Sequence, residues 1–376
     1  MYGVVLRVAV LSWRAPGDPD AGGSELHARE ILARWVTAGV EVTVHARRPP
    51  GGEPPAGGLD GDLAFPVVHT GGTYGVFAAA PARVWRDRGR YDAVVEILNG
   101  VPFWSPLWWR GPRVVWLHHL HTEMWAQTLP RPIADVGRWN ERIVVPRVYA
   151  STPVVTLAEP GRSELTRAGF RRVEVVEPGV AEVFTPSPDR IVAGVGSRLV
   201  AVGRLAPVKR WIELFDAVAP LAGRIPDLRL DVVGEGPMRA ELDAWRAAHR
   251  AEWLTLHGRV SDEGLRDLYR SADLLVSASS AEGWGMTITE AARCGVPAVV
   301  TDVTGHRAAV VDDVTGVLAD HPADLTAAIE HLLLDGERRA ALGSAAAERA
   351  RTMIWDEAAR RHLGILEAAV AERGRR

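Results

Sequence analysis

Short runs of β-branched and aliphatic residues alternate along this chain with longer segments whose apolar positions recur every three or four residues. The first pattern is that of buried strands, the second that of helices lying on a sheet. In the first half the runs predict strands at Leu6–Leu11, Val40–His45, Ala93–Ile97, Arg113–Leu117, Val154–Leu157 and Val173–Val176. The rhythm restarts with Leu199–Val202, Leu228–Val233, Leu254–His257, Leu274–Ser277, Pro297–Thr301 and Gly316–Leu318. Helices are predicted at Glu25–Ala38, Arg210–Ala222, Pro237–His249, Asp262–Ser271 and Thr287–Arg293, with a last one from Asp356 to Glu372. Strands and helices in this alternation give an α/β architecture with parallel sheets.

The chain has 376 residues, long for one core and comfortable for two. The tract Phe184-Thr185-Pro186-Ser187-Pro188 reads as an extended linker, since two prolines fix its backbone. It divides the chain into domains 1–184 and 185–355, each with a sheet of about six strands. The final helix, within 356–376, is expected to cross back onto the first domain. The Gly/Pro tract Pro49–Gly61 reads as a mobile surface loop. Met1–Val10 reads as a first strand, and no apolar run approaches the roughly 20 residues of a membrane-spanning helix. A soluble, cytoplasmic protein is expected.

Charge narrows the function classes. Lys plus Arg is 44 and Asp plus Glu 47, a formal net charge of −3, which gives no whole-chain case for nucleic acid. A single cysteine, Cys294, excludes an internal disulfide framework and a cysteine-based metal cluster. Of the 44 basic residues only Lys209 is a lysine, a skew that fits GC-rich coding and singles out that position.

A dinucleotide fold would place G-x-G-x-x-G directly after the first strand. That strand ends near Leu11, whereas its glycines come later, at Gly22-Gly23; Gly234-Glu235-Gly236 is only a fragment, and no Walker lysine motif occurs. A dehydrogenase or P-loop enzyme is therefore disfavoured. Gly22-Gly23-Ser24 opens a helix whose exposed amides suit a phosphate, or else it closes a flexible loop with a serine cap.

Two constellations carry chemistry. Ser279–Ala291 follows a strand and enters a helix, so Gly283, Trp284, Gly285, Met286 and Thr287 would present backbone amides at the sheet's C-terminal edge. Glu282 and Glu290 flank that turn; on their own they read equally as solvated charges. In Gly203-Arg204-Leu205-Ala206-Pro207-Val208-Lys209, Arg204 leaves a strand and Lys209 precedes a helix, and two cations there could neutralise a diphosphate leaving group. A compact ammonium in an arginine-only background suggests a geometric demand.

Taken together, these residues resemble family 4 of the retaining GT-B glycosyltransferases over nearly the whole chain. The resemblance runs through Ser12-Trp13 with Ala21-Gly22-Gly23-Ser24-Glu25, the strand ending in His118, and Arg204-x4-Lys209. It continues through Gly234-Glu235-Gly236-Pro237, His257-Gly258-Arg259-Val260 and the Glu282-x7-Glu290 block. The likeness implies a GT-B fold of two Rossmann-like domains with parallel sheets facing a central cleft, the nucleotide-sugar donor binding mainly to the second. By that likeness Arg204 and Lys209 hold the diphosphate with the amides around Gly285–Thr287, Glu290 accepts from ribose hydroxyls, and Glu282 contacts a sugar hydroxyl. Arg259 and Val260 border the base, Gly22 and Gly23 close over the phosphates, and His118 sits near the anomeric carbon.

The reaction so implied moves a hexosyl group from a nucleotide diphosphate sugar to an acceptor hydroxyl with retention, giving an α-glycoside. No obligatory cofactor or metal is expected; UDP is favoured over GDP as the commoner donor base. Glu282 as a covalent nucleophile is the less favoured mechanism. His118, His119 and His121 could suggest a metal site, but in a strand His118 points away from the other two, which read better as a polar wall.

Six of the 14 tryptophans lie between Trp104 and Trp139. The proline-broken stretch Val101–Arg110 reads either as ordinary packing or as an acceptor platform or membrane-surface patch, with no basic amphipathic helix evident beside it. Acceptors open to this reading are a glycan, a polyprenyl-linked glycan or a small natural product, with peripheral contact on the inner membrane face for the second. Departures from the family pattern are Thr156–Pro160, which lacks a common serine, Trp284 in place of phenylalanine, and Thr304-Gly305-His306 in place of a double glycine. The rivals are a nucleotide-sugar hydrolase or epimerase of the same fold and a catalytically silent binding protein.

Overall fold

The computed structural model describes residues 5–18, 21–49, 63–118, 120, 125, 130–187 and 197–375. The chain divides into two compact units, one of residues 1–179 with 355–376, the other of residues 180–354.

The first unit holds a seven-stranded, wholly parallel sheet in the order β3-β2-β1-β4-β5-β6-β7. Its strands are β1 (Arg7–Leu11), β2 (Glu41–Ala46), β3 (Val67–His69), β4 (Ala93–Ile97), β5 (Arg113–Trp116), β6 (Val154–Thr156) and β7 (Val173–Val175). The sequence pattern accounts for six of these. β3, three residues paired from Val44↔Val67 to Ala46↔His69, is too short to show a period. Helix Trp355–Gly374 belongs to this unit: the Trp35 indole donates to the Ala359 carbonyl (2.9 Å), and Arg34 pairs with Asp356 (2.6 Å).

The second unit carries a six-stranded parallel sheet in the order β10-β9-β8-β11-β12-β13. The strands are β8 (Arg198–Val202), β9 (Arg229–Val233), β10 (Leu254–Gly258), β11 (Leu274–Ser277), β12 (Ala298–Thr301) and β13 (Gly316–Ala319). Its core is aliphatic: Leu199, Leu230, Leu254 and Leu274 on the strands meet Leu214, Phe215 and Val218 on helix Trp211–Ala222.

Two expectations change and one open reading is decided. The break falls at Gly179/Val180, ahead of the Phe184–Pro188 tract. Phe184 is buried against Tyr269 (5.7 Å between ring centres), and Arg270 donates to the Thr185 carbonyl (2.8 Å), so the start of that tract is part of the second unit's packing. The aromatic stretch is mostly interior: Phe103 and Trp109 are buried, Trp108 donates to the Phe103 carbonyl (2.8 Å), and Glu96 accepts from the Phe103 amide (2.7 Å). Leu107 is its exposed apolar residue, and Arg110 at its end is exposed too. A basic amphipathic helix does follow it, Arg131–Trp139 continued by a wider turn at Asn140–Val144. Pro132, Gly137 and Pro146 had hidden it, being residues that usually end helices. The Pro49–Gly61 tract, Pro49 aside, lies outside the described residues, as do His119 and His121. No described helix is long and apolar enough to cross a membrane.

Candidate functional site

In each sheet the chain builds outward from one strand, then returns to that strand's other side. In the second unit the reversal lies between β8 and β11. Helices leave the sheet in opposite directions at such a point, which opens a crevice at the strands' carboxyl ends. The loops after β8 and β11 contain Arg204, Lys209 and Glu282.

These loops are held by close backbone contacts. The Gly203 amide donates to the Val233 carbonyl (3.0 Å) and the Leu205 amide to the Glu235 carbonyl (2.9 Å). Gly234 has φ +143°, and a Cβ there would lie 2.0 Å from the Gly203 carbonyl oxygen; one on Gly236 would lie 2.4 Å from that of Leu205. The Gly-Glu-Gly motif thus lets the end of β9 lie against the loop after β8. Arg210, in the left-handed region at φ 50°, turns the chain from the Pro207–Lys209 turn into helix Trp211–Ala222. The Trp211 indole donates to the Arg204 carbonyl (3.1 Å), while the Arg204 side chain is exposed.

Lys209 donates to Glu282 Oε1, and the two form a half-buried ion pair between the loops after β8 and β11. The same oxygen accepts from the Ser279 hydroxyl (2.9 Å). Burial pushes the Glu282 carboxyl up, but the charges of Lys209 and His306 and the hydrogen bonds outweigh it and hold it below its usual value. His306 is buried nearby; its Nδ1–H donates to the Thr301 carbonyl (2.6 Å), leaving Nε2 as the acceptor in the neutral ring. Burial lowers the His306 value. Gly305 fits here for space: a Cβ would come within 2.4 Å of the Glu282 carbonyl.

Gly285, at φ 96°, ends the loop and opens helix Met286–Arg293. The amides in that first turn have no partner four residues back within the helix, so they can meet an anion. Trp284 is buried. Glu290 lies inside the same helix, and its Oε2 accepts from the Tyr269 hydroxyl (2.9 Å). Burial pushes its carboxyl up to about 7. Arg259 and Val260 follow β10, at the outer edge of the sheet, and are exposed.

In the first unit the reversal lies between β1 and β4. Gly22 is the N-cap of helix Gly23–Thr37, and the Glu25 carboxylate accepts from its amide (2.8 Å), so the cap is glycine and not Ser24. Asn99, just past β4, donates to the Ser24 hydroxyl (3.1 Å). The buried pair Arg47–Asp18 (3.1 Å) anchors the loop after β1. His118 lies two residues beyond β5 and is buried; the Thr156 hydroxyl donates to its carbonyl (3.3 Å). The His27 ring meets the His118 ring edge-on at 4.8 Å and the His362 ring at 5.1 Å. Among the described residues, no group of three or more His, Cys, Asp or Glu side chains is arranged to hold a metal ion.

Motif reasoning found Lys209, Glu282 and Glu290 but missed Ser279, Tyr269, His306, Asn99 and His27. Signals were available for two of them: His306 is a departure from the family pattern and Ser279 opens the block after β11; the others are recognised only by what they touch.

The profile described as Glycosyl transferases group 1 matches residues 196–349, and that described as Glycosyltransferase Family 4 matches residues 21–182. The D-inositol 3-phosphate glycosyltransferase of Thermobispora bispora is 32% identical over 95% of this chain and 93% of its own. That of Salinispora tropica is 32% identical over 97% and 86%. Among solved structures, sucrose-phosphate synthase from Thermosynechococcus elongatus superposes with a TM-score of 0.79 at 19% identity, covering 98% of this chain and all of that one. Anabaena HepE, solved with UDP and glucose, gives 0.75 at 20% identity over 96% and 100%. The chain belongs to the family 4 glycosyltransferases, and its fold is the GT-B fold. It is a glycosyltransferase.

Proposed function

We propose that the second unit binds a nucleoside diphosphate sugar, UDP-linked, in the crevice between β8 and β11, and that transfer proceeds with retention. Arg204 and Lys209 neutralise the diphosphate, the amides of Met286 and Thr287 add hydrogen bonds, and Glu290 accepts from ribose hydroxyls. Glu282, oriented by Lys209 and Ser279, holds a sugar hydroxyl. In the first unit His118 orients the reacting sugar, and the amide of Gly23 meets a phosphate, that of Gly22 being held by Glu25. The bond from the anomeric carbon to phosphate oxygen breaks as the acceptor oxygen bonds on the same face. The acceptor's proton passes to the departing phosphate. The two cations supply the charge that a metal ion would otherwise supply, and nucleotide sugars place the work in the cytoplasm.

The observation that carries this reading is the Lys209–Glu282 pair at the strand reversal, where the chain's one lysine stands. UDP in the HepE structure supports the choice of base. The relatives' name makes an inositol phosphate the first acceptor to try.

The test is a thermal-shift series with UDP, GDP, TDP and NAD, with and without EDTA, then transfer from UDP-hexoses to inositol phosphate. A ligand at 100 times its dissociation constant adds about 2.7 kcal/mol. A shift with UDP that survives EDTA, and an α-anomeric product by NMR, are expected. A shift only with another diphosphate overturns the base assignment. A β-linked product overturns retention, and sugar release without acceptor makes the protein a hydrolase.

A further inference from the structure

Helix Arg131–Trp139 and the turn Asn140–Val144 that continues it present three distinct faces. The inner one holds Ala134, Gly137, Glu141 and Val145; Gly137 packs on the Trp125 ring, and the Trp125 indole donates to buried Glu141 (3.0 Å). The helix is therefore seated. Its outer face is apolar: Ile133 is 56% exposed, Val136 65%, Trp139 59% and Ile143 40%. Spacings of three, three and four residues put them in one stripe. A row of four large apolar groups with a tryptophan, turned to water, is not how an isolated surface helix is ordinarily built.

Charge borders the stripe. A cavity of about 780 Å³ opens beside it, lined by Arg142, Arg147, Arg167 and Arg171 against one acid, Glu164, and sharing Ile143 with the stripe. Among the described residues, none of those four arginines lies within 4.0 Å of a carboxylate. Arg147 donates to the Ile143 carbonyl (2.6 Å), which keeps its charge beside the stripe.

We infer that this face docks the protein on an anionic bilayer, the stripe entering the acyl boundary and the arginine-lined cavity taking lipid phosphates. Charge decides against a second copy of the chain: a two-fold contact through this face would bring the same arginines together. Four side chains also cover far less than the roughly 800 Å² per partner of a stable interface. A bilayer supplies both complements, hydrocarbon for an apolar row and phosphate for guanidinium groups that no described carboxylate neutralises at contact distance. The inference is independent of the donor assignment, since these residues all lie in the first unit.

The full chain is floated with vesicles of phosphatidylglycerol and phosphatidylcholine in equal parts, and with phosphatidylcholine alone, at low and at physiological salt. It is expected to float with the first, to stay behind with the second, and to bind less as salt rises. Val136→Glu with Trp139→Glu should abolish flotation. Arg142→Gln with Arg147→Gln, a change of exposed side chains that leaves the fold intact, should weaken partition about fivefold per arginine. In both variants the UDP-induced thermal shift should match that of the unmodified chain, which separates loss of docking from loss of fold or donor site. Failure of the unmodified chain to float at low salt overturns the inference. So does flotation unchanged in both double variants, or a variant-sensitive dimer in sedimentation without lipid binding.

Discussion

The Tyr269 hydroxyl donates to Glu290 Oε2 at 2.9 Å, a contact between helix Asp262–Ser271 and helix Met286–Arg293 made inside the second unit. Tyr269 fixes which way the carboxyl points, but one hydrogen bond does not offset its burial, and Glu290 sits at about 7. Near neutral pH a large share of the molecules therefore carry a protonated Glu290.

That sets a pH dependence of binding. An acceptor of ribose hydroxyls works best ionised, so UDP affinity should rise with pH through about 7. One pH unit below that value about a tenth of the sites are ionised, which weakens apparent affinity about tenfold. Calorimetric titrations from pH 6 to 8 should show the slope in the unmodified protein and none in Glu290→Gln. A slope retained by Glu290→Gln would assign it to another group.

Stability should respond with opposite signs in the two units. Glu290 titrates higher folded than unfolded, so the second unit is most stable below the ordinary glutamate value of 4.5 and loses stability as pH rises through about 7, by about 3 kcal/mol. In the first unit, burial lowers His27 well below its usual value and, with the charges of His118 and Arg361, lowers His362 to about 3. The unfolded chain then binds the extra protons, so that unit keeps its stability above 6.5 and loses it as pH falls toward 3. Calorimetric scans should show this acid loss relieved in His362→Leu, while the alkaline loss is relieved only in Glu290→Gln.

Lys209→Ala should weaken UDP binding by about tenfold to a hundredfold, the range for one charge-assisted hydrogen bond. Lys209→Arg should not restore it. The lysine's Cε lies 3.1 Å from where a Cβ on Gly203 would stand, so the chain passes close to backbone, and a planar fork needs more width there. Normal transfer kinetics in Lys209→Ala would remove Lys209 from the diphosphate site, and in Lys209→Arg would show that a guanidinium fits beside Gly203 after all.

Gly234→Ala should destabilise the second unit by about 3 kcal/mol or more, because the new methyl meets the Gly203 carbonyl at 2.0 Å in a left-handed backbone. Gly305→Ala should act on function first, displacing Glu282 through contact with its carbonyl. Urea melts and UDP titrations of the pair separate the two effects.

What the sequence disclosed depended on how local each signal was. β1, β4 and β12 announce themselves because four or five consecutive buried positions fill them. β3 does not, since its three residues become a strand only by pairing with β2. Lys209 and Glu282 stand out by their motifs, although they lie 73 positions apart. His27 and His362 do not, because on one helix each looks like a surface histidine until the two helices meet. The basic amphipathic helix was obscured for a different reason: its prolines and glycine follow loop rules while its seating on Trp125 overrides them.

The lone lysine has a practical consequence. An amine-reactive acyl ester finds one side-chain target in the chain, and that amine is engaged with Glu282. Mass spectrometry of a labelled sample therefore reads a single side-chain address, Lys209, told apart by mass from any free α-amine, with every other basic side chain silent. Protection of that address by UDP would report occupancy of the donor site without any acceptor, product or assay of turnover.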